Sequence, residues 1–239
     1  MKYGEYTLTF FDIETMGLSA INQDFVLSVF LNDDNQYVSN TIDGTISNFT
    51  KVDGKNNYNT LLVTYNGENY RGGFDFPFLR TKFMKGNRDW VFYGVRHLDI
   101  YPLVKKYFNT SLHEHQPVAK SNFRADDVKK LAKANDIEYT NKKETYSKIE
   151  QLDDIDWLEY TEQSDNTYND LQSVYQFFFD PNKEEVYIDG ADTAKLIEEG
   201  NDLEVVEHCI NDVTRLKKIT EMVLSYVPRY EIDRNINNL

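Results

Sequence analysis

An apolar, strand-forming run that ends on two carboxylates constrains this chain more than any other feature. Tyr6-Thr7-Leu8-Thr9-Phe10-Phe11 leads directly into Asp12-Ile13-Glu14. Aromatic and β-branched residues favour extended backbone, so residues 6–12 are expected to form a strand entering a core, with the acids at its tip. Side chains alternate between the faces of a strand, which puts Asp12 and Glu14 on the same side. Two carboxylates so placed repel one another unless protons or cations neutralise them. Magnesium and manganese suit such oxygen ligands and keep water or phosphate oxygens as further ligands. With 40 acids in the chain, Asp-x-Glu also arises by chance. Its place after an apolar strand, with Thr15 and Gly17 following, gives it weight.

The strongest helix candidate lies near the other end. Leu203, Val206, Ile210, Val213, Leu216, Ile219 and Val223 recur at steps of three or four over residues 202–224, the spacing of one apolar stripe. His208 and Asp212 stand four apart and share a face of that helix. At the edge of the stripe they are available to a cleft, where a histidine can take up a proton near neutral pH. Alone, the pair reads first as a surface or capping contact.

A third segment joins Asn66-Gly67, a turn-forming dipeptide, to Phe74-Asp75-Phe76-Pro77-Phe78-Leu79. Pro77 favours extended or turn geometry at Phe76. Phe76, Phe78 and Leu79 can anchor the segment and hold Asp75 in a fixed, exposed position. Asn66 has two readings: a structural turn, or a contact to a bound nucleotide.

Between these motifs, residues 25–31, 36–39, 61–65 and 90–93 read as strands. Helices are expected from Pro77 through Lys85, from Asp99 as a cap toward Phe108, and over 124–135. Residues 40–60, rich in Asn, Thr and Gly, give no clear pairing. Strands followed by alternating strands and helices predict a mixed α/β sheet.

Three parts in this order resemble the DEDD superfamily of 3′–5′ exonucleases, which share a ribonuclease H-like fold. Asp12-Ile13-Glu14 is similar to the first motif of that superfamily. Asn66-Gly67 with Phe74–Leu79 is similar to the second, and His208-Cys209-Ile210-Asn211-Asp212 to the third. The third motif sets a histidine at the spacing that one branch of the superfamily uses for tyrosine. In this the chain looks closest to stand-alone predicted exonucleases that resemble the proofreading domain of B-family DNA polymerases. His97-Leu98-Asp99 and Val128–Lys133 also resemble segments between the second and third motifs. The resemblance covers about residues 6–110 and 123–222.

The resemblance implies a ribonuclease H-like mixed β-sheet flanked by helices, in a single exonuclease-like domain over residues 1–239. It implies metal-dependent hydrolysis of phosphodiester bonds at single-stranded 3′ ends, with DNA preferred over RNA. Two ions, Mg²⁺ or Mn²⁺, would be held by Asp12, Glu14, Asp75 and Asp212. His208 would orient or deprotonate the attacking water. Thr15, Asn66, Phe74 and Asp99 are the candidate substrate contacts, although Asp99 also reads as a helix cap. A replication or repair protein is the expected protein partner, since the chain contains no polymerase domain.

Charge bears on that expectation. The formal net charge is −14 and the pI about 4.7, unexpected for a protein that handles a polyanion. Residues 138–192 account for most of it, with 15 Asp/Glu against 4 Lys/Arg, and read as an acidic insertion within the domain. Trp157, Leu158, Val174 and Phe177–Phe179 are its candidate anchors. Residues 71–133 carry 13 Lys/Arg against 6 Asp/Glu, so Arg71–Lys85 and Lys120–Lys133 are the expected phosphate contacts. Cys209 is the single cysteine, which excludes an internal disulfide and fits a reducing compartment. No run approaches the roughly 18 apolar residues of a membrane span, and Met1–Glu5 lacks the apolar segment of a secretory signal. The cytoplasm, of a prokaryote or of a virus-infected host cell, is the expected location. Two other classes fit the same residues: a catalytically weak nucleic-acid-binding or regulatory protein with this fold, and an interaction module acting through its acidic segment.

Overall fold

The computed structural model describes residues 1–33, 35–53, 59–69, 72–117, 125–152, 161–167, 170–182, 185, 188 and 192–239, without the side chains of 111–117 and 161–167. Trp157, Leu158, Arg71, Lys120 and Arg124, named above as anchors or basic contacts, lie outside the described residues. The first half runs β1 (Lys2–Tyr3), β2 (Tyr6–Thr15), β3 (Phe25–Asn32), β4 (Asn35–Ser39), α1 (Ile42–Asp53), β5 (Thr60–Thr64), α2 (Asp75–Lys85), β6 (Arg96–Asp99) and α3 (Tyr101–Tyr107). It continues with β7 (Ser111–Pro117), α4 (Ala125–Ala134), α5 (Lys142–Ile149), β8 (Thr161–Thr167), α6 (Leu171–Phe179), α7 (Thr193–Glu198), α8 (Asp202–Tyr226), α9 (Arg229–Asn235) and β9 (Ile236–Asn238).

The chain divides into two compact units, Met1–Thr110 with Tyr168–Leu239, and Ser111–Thr167. The acidic stretch 138–192 spans the boundary: residues 138–167 lie in the second unit, and 168–192 return to the first, where Val174 and Tyr175 are buried. In the second unit β7 pairs antiparallel with β8. Val128, Leu131 and Ala132 of α4 and Tyr146 and Ile149 of α5 form a small core of its own.

The first unit is built on a seven-stranded mixed sheet in the order β4-β3-β2-β5-β6-β9, with β1 beside β2. β2, β5 and β6 are parallel neighbours, while β3, β4 and β9 run antiparallel to theirs. Strand alternation decides the layers. Leu8 and Phe10 of β2 face a core completed by Val205, Val213, Leu216 and Ile219 of α8. Phe11 and Ile13 face the other way, into an aromatic core with Phe49 of α1 and Phe76, Phe78 and Phe83 of α2. There Phe11 lies 4.5 Å from Phe30 and Phe49 lies 4.5 Å from Phe92, centroid to centroid. Burying each such side chain contributes about 1.5–3 kcal/mol. The sheet is therefore covered on both faces.

Several elements differ from the sequence reading, three of them in the first unit bearing on its sheet and cores. Trp90–Tyr93 is a turn, not a strand, closed by Val95 N–H donating to the Phe92 carbonyl at 3.1 Å. Its aromatics serve the second core, with Phe92 fully buried, and Gly94 at φ 77° redirects the chain into β6. Residues 42–53, where the sequence gives no clear pairing, form α1, whose buried Thr45 bonds Ser28, hydroxyl to hydroxyl, at 2.8 Å. β9 is three residues long and carries no pattern that marks a strand. Among the described residues no helix is long and apolar enough to cross a membrane.

His97 of β6 is sealed beneath the Phe76 ring, with Nε2 2.8 Å from the Thr64 hydroxyl. Burial, and then the nearby Arg80 charge, lowers its pKa to about 3. The unfolded chain therefore takes up a proton near pH 6.5 that the folded one refuses, and stability falls as pH drops below that value. Denaturant titrations should show the advantage of the parent over His97→Gln shrinking by about 2 kcal/mol between pH 7 and pH 5. A pH-independent difference would place the proton elsewhere.

Candidate metal centre

β2 delivers Asp12 and Glu14 to the end of the sheet where the parallel strands β2, β5 and β6 finish, the end at which clefts of parallel sheets form. Both lie within the strand, which continues to Thr15 through a shift of register between Glu14 and Thr15. On the same face as Leu8 and Phe10, they meet α8 at the turn that carries His208, Cys209 and Asp212.

Asp75 arrives from a different element. The chain leaves β5 through Asn66 at φ 64°, the left-handed region that asparagine tolerates. Gly67 follows, where a Cβ would come 2.3 Å from the Thr64 hydroxyl oxygen. Gly73, at φ 91°, has no room for one either, with Glu68 Cα at 2.6 Å. The loop is closed by Phe74 N–H donating to the Asn66 carbonyl at 2.8 Å and Phe76 N–H donating to the Gly67 carbonyl at 3.2 Å. Asp75 thereby opens α2, where the helix dipole favours a carboxylate.

These residues converge. Asp12, Glu14, Asp75, His208 and Asp212 line one cleft of about 740 Å³, together with Asn66 and Phe74. The other walls include Tyr65, Tyr101 and Asp170, and Leu18 stands 87% exposed at the rim. His208 Nε2 is 3.5 Å from Glu14 Oε1 and 3.6 Å from Asp212 Oδ2. Thr15 and Asp99 are not among the cleft walls. The Thr15 hydroxyl donates to the Gly17 carbonyl at 2.8 Å. Asp99 ends β6 and accepts from Asn66 N–H at 2.8 Å, Tyr101 N–H at 3.0 Å and Asn69 Nδ2 at 3.0 Å, so it ties the Asn66 loop to the start of α3. Burial raises its pKa to about 6 against those bonds.

Electrostatically the cleft is under load. Burial and then the charge of Asp212 push Asp12 up to about 8. Burial, followed by neighbouring carboxylates, raises Glu14 and Asp75 well above the usual range. Asp212 is raised less, because His208 and Arg215 oppose the effect of burial. Asp75 Oδ2 is buried and has no hydrogen-bond partner among the described residues. An orphaned carboxylate oxygen beside three more carboxylates is a cradle for a cation. Ligand atoms of Asp12, Glu14 and Cys209, and of Glu14, His208 and Asp212, form two groups within 4.8 Å. The donors, mostly carboxylate oxygens, fit a hard divalent ion.

Three supporting residues carry no role in the sequence reading. Thr193, at the start of α7, donates to Glu14 Oε2 at 3.1 Å. The buried Cys209 thiol lies 3.5 Å from Asp12 Oδ2 as a donor, and burial raises its pKa well above the usual value. Arg215, one turn beyond Asp212 and buried, donates to Asp212 Oδ1 at 2.9 Å. Its spacing of three from Asp212 was a readable helical signal; Thr193 had none. Three of the basic residues expected to meet phosphates have partners within the protein: Arg80 pairs with Glu68 at 2.7 Å, Lys82 binds the Gln23 carbonyl, and Lys85 binds the Ile21 carbonyl at 2.8 Å, while Lys129, Lys130 and Lys133 are exposed on α4.

Residues 9–115 match the family model described as the RNase_H superfamily. The α/β fold, a mixed sheet flanked by helices, agrees with that match. Similar solved structures include a product-bound exonuclease I, at 14% identity and a TM-score of 0.33 over 61% of this chain and 42% of that one. Another is the zinc-bound form of the E. coli ExoI–ssDNA complex, at 17% identity and a TM-score of 0.31 over 61% and 39%. The chain thus spans less than half the length of these two proteins. No curated protein matches it.

The raised carboxylates carry a sign. Folded Asp12 keeps a proton that the unfolded chain has released, so the metal-free fold loses stability as pH rises from about 4 towards about 8. Thermal melts should show Asp12→Asn flattening that decline and raising the metal-free midpoint at pH 8 by about 2–4 °C, as relief of about 1 kcal/mol of repulsion would. Millimolar Mn²⁺ should raise the midpoint of the parent but not of the variant. Equal Mn²⁺ responses would show that the ion binds elsewhere.

Proposed function

We propose that this protein is a divalent-metal-dependent exonuclease that removes nucleotides from the 3′ ends of single strands, DNA in preference to RNA. The observation that carries the reading is the convergence of Asp12, Glu14, Asp75 and Asp212, from three separate elements, on one cleft with His208 among them. A four-carboxylate set needs cations to coexist, and a phosphodiester is the substrate class whose chemistry such cations serve. The resemblance of the three motifs to proofreading exonucleases supports the polarity, the single-stranded end and the preference for DNA.

Mg²⁺ or Mn²⁺ held by the four carboxylates would activate a water and stabilise charge on the leaving 3′ oxygen. The protein's own residues supply placement. Asp12 and Glu14 are fixed by a strand buried on both faces, and Asp75 by a loop in which Gly67 and Gly73 leave no slack. Arg215 holds Asp212 through one oxygen and leaves the other toward His208. His208, held on α8 beside Glu14 and Asp212, accepts the proton of the attacking water. Tyr65, Phe74 and Tyr101 offer faces on which terminal bases stack.

A second reading of His208 is favoured by its distances, since 3.5 and 3.6 Å to two carboxylate oxygens place it among the ligand atoms themselves. The two roles separate kinetically. As the proton acceptor, His208→Ala should lose about 10²–10⁴-fold in kcat at saturating Mn²⁺. As a ligand, it should recover activity when Mn²⁺ is raised.

The deciding experiment incubates 3′- and 5′-labelled DNA and RNA strands with and without metal, beside Asp12→Ala. Stepwise shortening from the 3′ end, dependent on metal and absent in the variant, is the expected result. Binding without shortening would favour a regulatory nucleic-acid-binding protein, and shortening from the 5′ end would overturn the polarity.

A further inference from the structure

A second cleft, of about 450 Å³, opens between α3 and α9. Tyr101 is a wall of both this cleft and the catalytic one, and Asn69, which also lines it, is bonded to Asp99 beneath the Asn66 loop. The two clefts therefore adjoin. The second is basic: Lys105, Lys106 and Arg234 line it against a single acid, Glu231. Glu231 holds Lys106 at 2.8 Å and Arg234 at 3.8 Å, which restrains two long side chains while leaving them 57% and 74% exposed with further N–H groups to donate. Lys105 is exposed, has no carboxylate partner among the described residues, and rests against the shared wall with Nζ 3.3 Å from the Tyr101 hydroxyl.

A surplus of positive charge is conspicuous in a chain of net charge −14. It matters more because Arg80, Lys82 and Lys85, on the basic stretch beside the catalytic cleft, are engaged internally. A strand whose 3′ end occupies the catalytic cleft must leave it, and passing Tyr101 brings its next phosphates over restrained cations. We propose that the α3–α9 cleft binds internal phosphates of the single-stranded substrate through Lys105, Lys106 and Arg234. This rests on the nuclease reading of the adjoining cleft and adds a reason for the enzyme to prefer strands over single nucleotide esters.

The test combines Lys105→Ala and Arg234→Ala, both exposed positions at which substitution leaves folding intact. Anisotropy of a labelled single-stranded DNA 20-mer, measured in Ca²⁺, gives affinity against salt. Hydrolysis of the p-nitrophenyl ester of thymidine 5′-monophosphate, which has no internal phosphates, gives catalysis without the groove. The double variant should bind the 20-mer on the order of tenfold more weakly at low salt, and its slope of log affinity against log salt should fall by about 1.4, or about 0.7 per contact. Its rate on the ester should equal that of the parent. Glu231→Gln, which removes the opposing charge, should shift 20-mer affinity the other way. Parental affinity and salt slope in the double variant would overturn the proposal, whatever the enzyme cleaves. If the parent hydrolyses neither substrate yet the salt slope falls as stated, the groove stands and the nuclease reading fails.

Discussion

Four carboxylates that repel one another share a buried cleft, and the architecture of the first unit is the framework that keeps them together. Nothing in a carboxylate cluster draws it closed. The closure comes from β2, whose Leu8 and Phe10 pack under α8 while Phe11 and Ile13 pack under α1 and α2. With apolar contacts on both faces, the strand has no freedom to retreat from α8, and its two acids stay where their repulsion is greatest. A cation that relieved this repulsion would gain from it, so the same packing that stabilises the sheet would raise the affinity of the proposed metal site.

Neutral and cationic neighbours shape that repulsion. Thr193 and Cys209 each offer a donor to an acid of β2, and Arg215 offers one to Asp212. Each satisfies one oxygen and leaves others facing the cleft. Asp75 has no such help at Oδ2, and its place at the head of α2 is enforced by the backbone, through two glycines whose surroundings admit no side chain. The proposed centre thus combines candidate ligands oriented by side-chain bonds with one oriented by chain geometry.

Much of this was legible in the sequence because it rests on short-range periodicity. Alternation along residues 6–12 put both acids on one face, and the stripe of 202–224 marked α8 and set His208 and Asp212 together. Asn66-Gly67 announced its turn through the backbone freedom of those residues. What could not be read depends on contacts between distant segments. Trp90–Tyr93 has strand-like composition, yet its rings complete an aromatic cluster and the backbone turns. Asp99 read as a substrate contact or a helix cap, and its bonds to Asn66 and Asn69 in a loop far along the chain had no local signal. Thr193 reaches Glu14 from 179 residues away, a partnership that no local pattern encodes.

Register in β2 ties heritable change in the fold to change in the chemistry. Moving the strand by one residue would turn Asp12 and Glu14 into the aromatic layer and present Phe11 and Ile13 to the cleft. A single-codon insertion or deletion within Tyr6–Thr15 therefore cannot tune the centre gradually, because it exchanges the two faces at once. The second unit, Ser111–Thr167, carries a core of its own, and a change of length there leaves the register of β2 untouched.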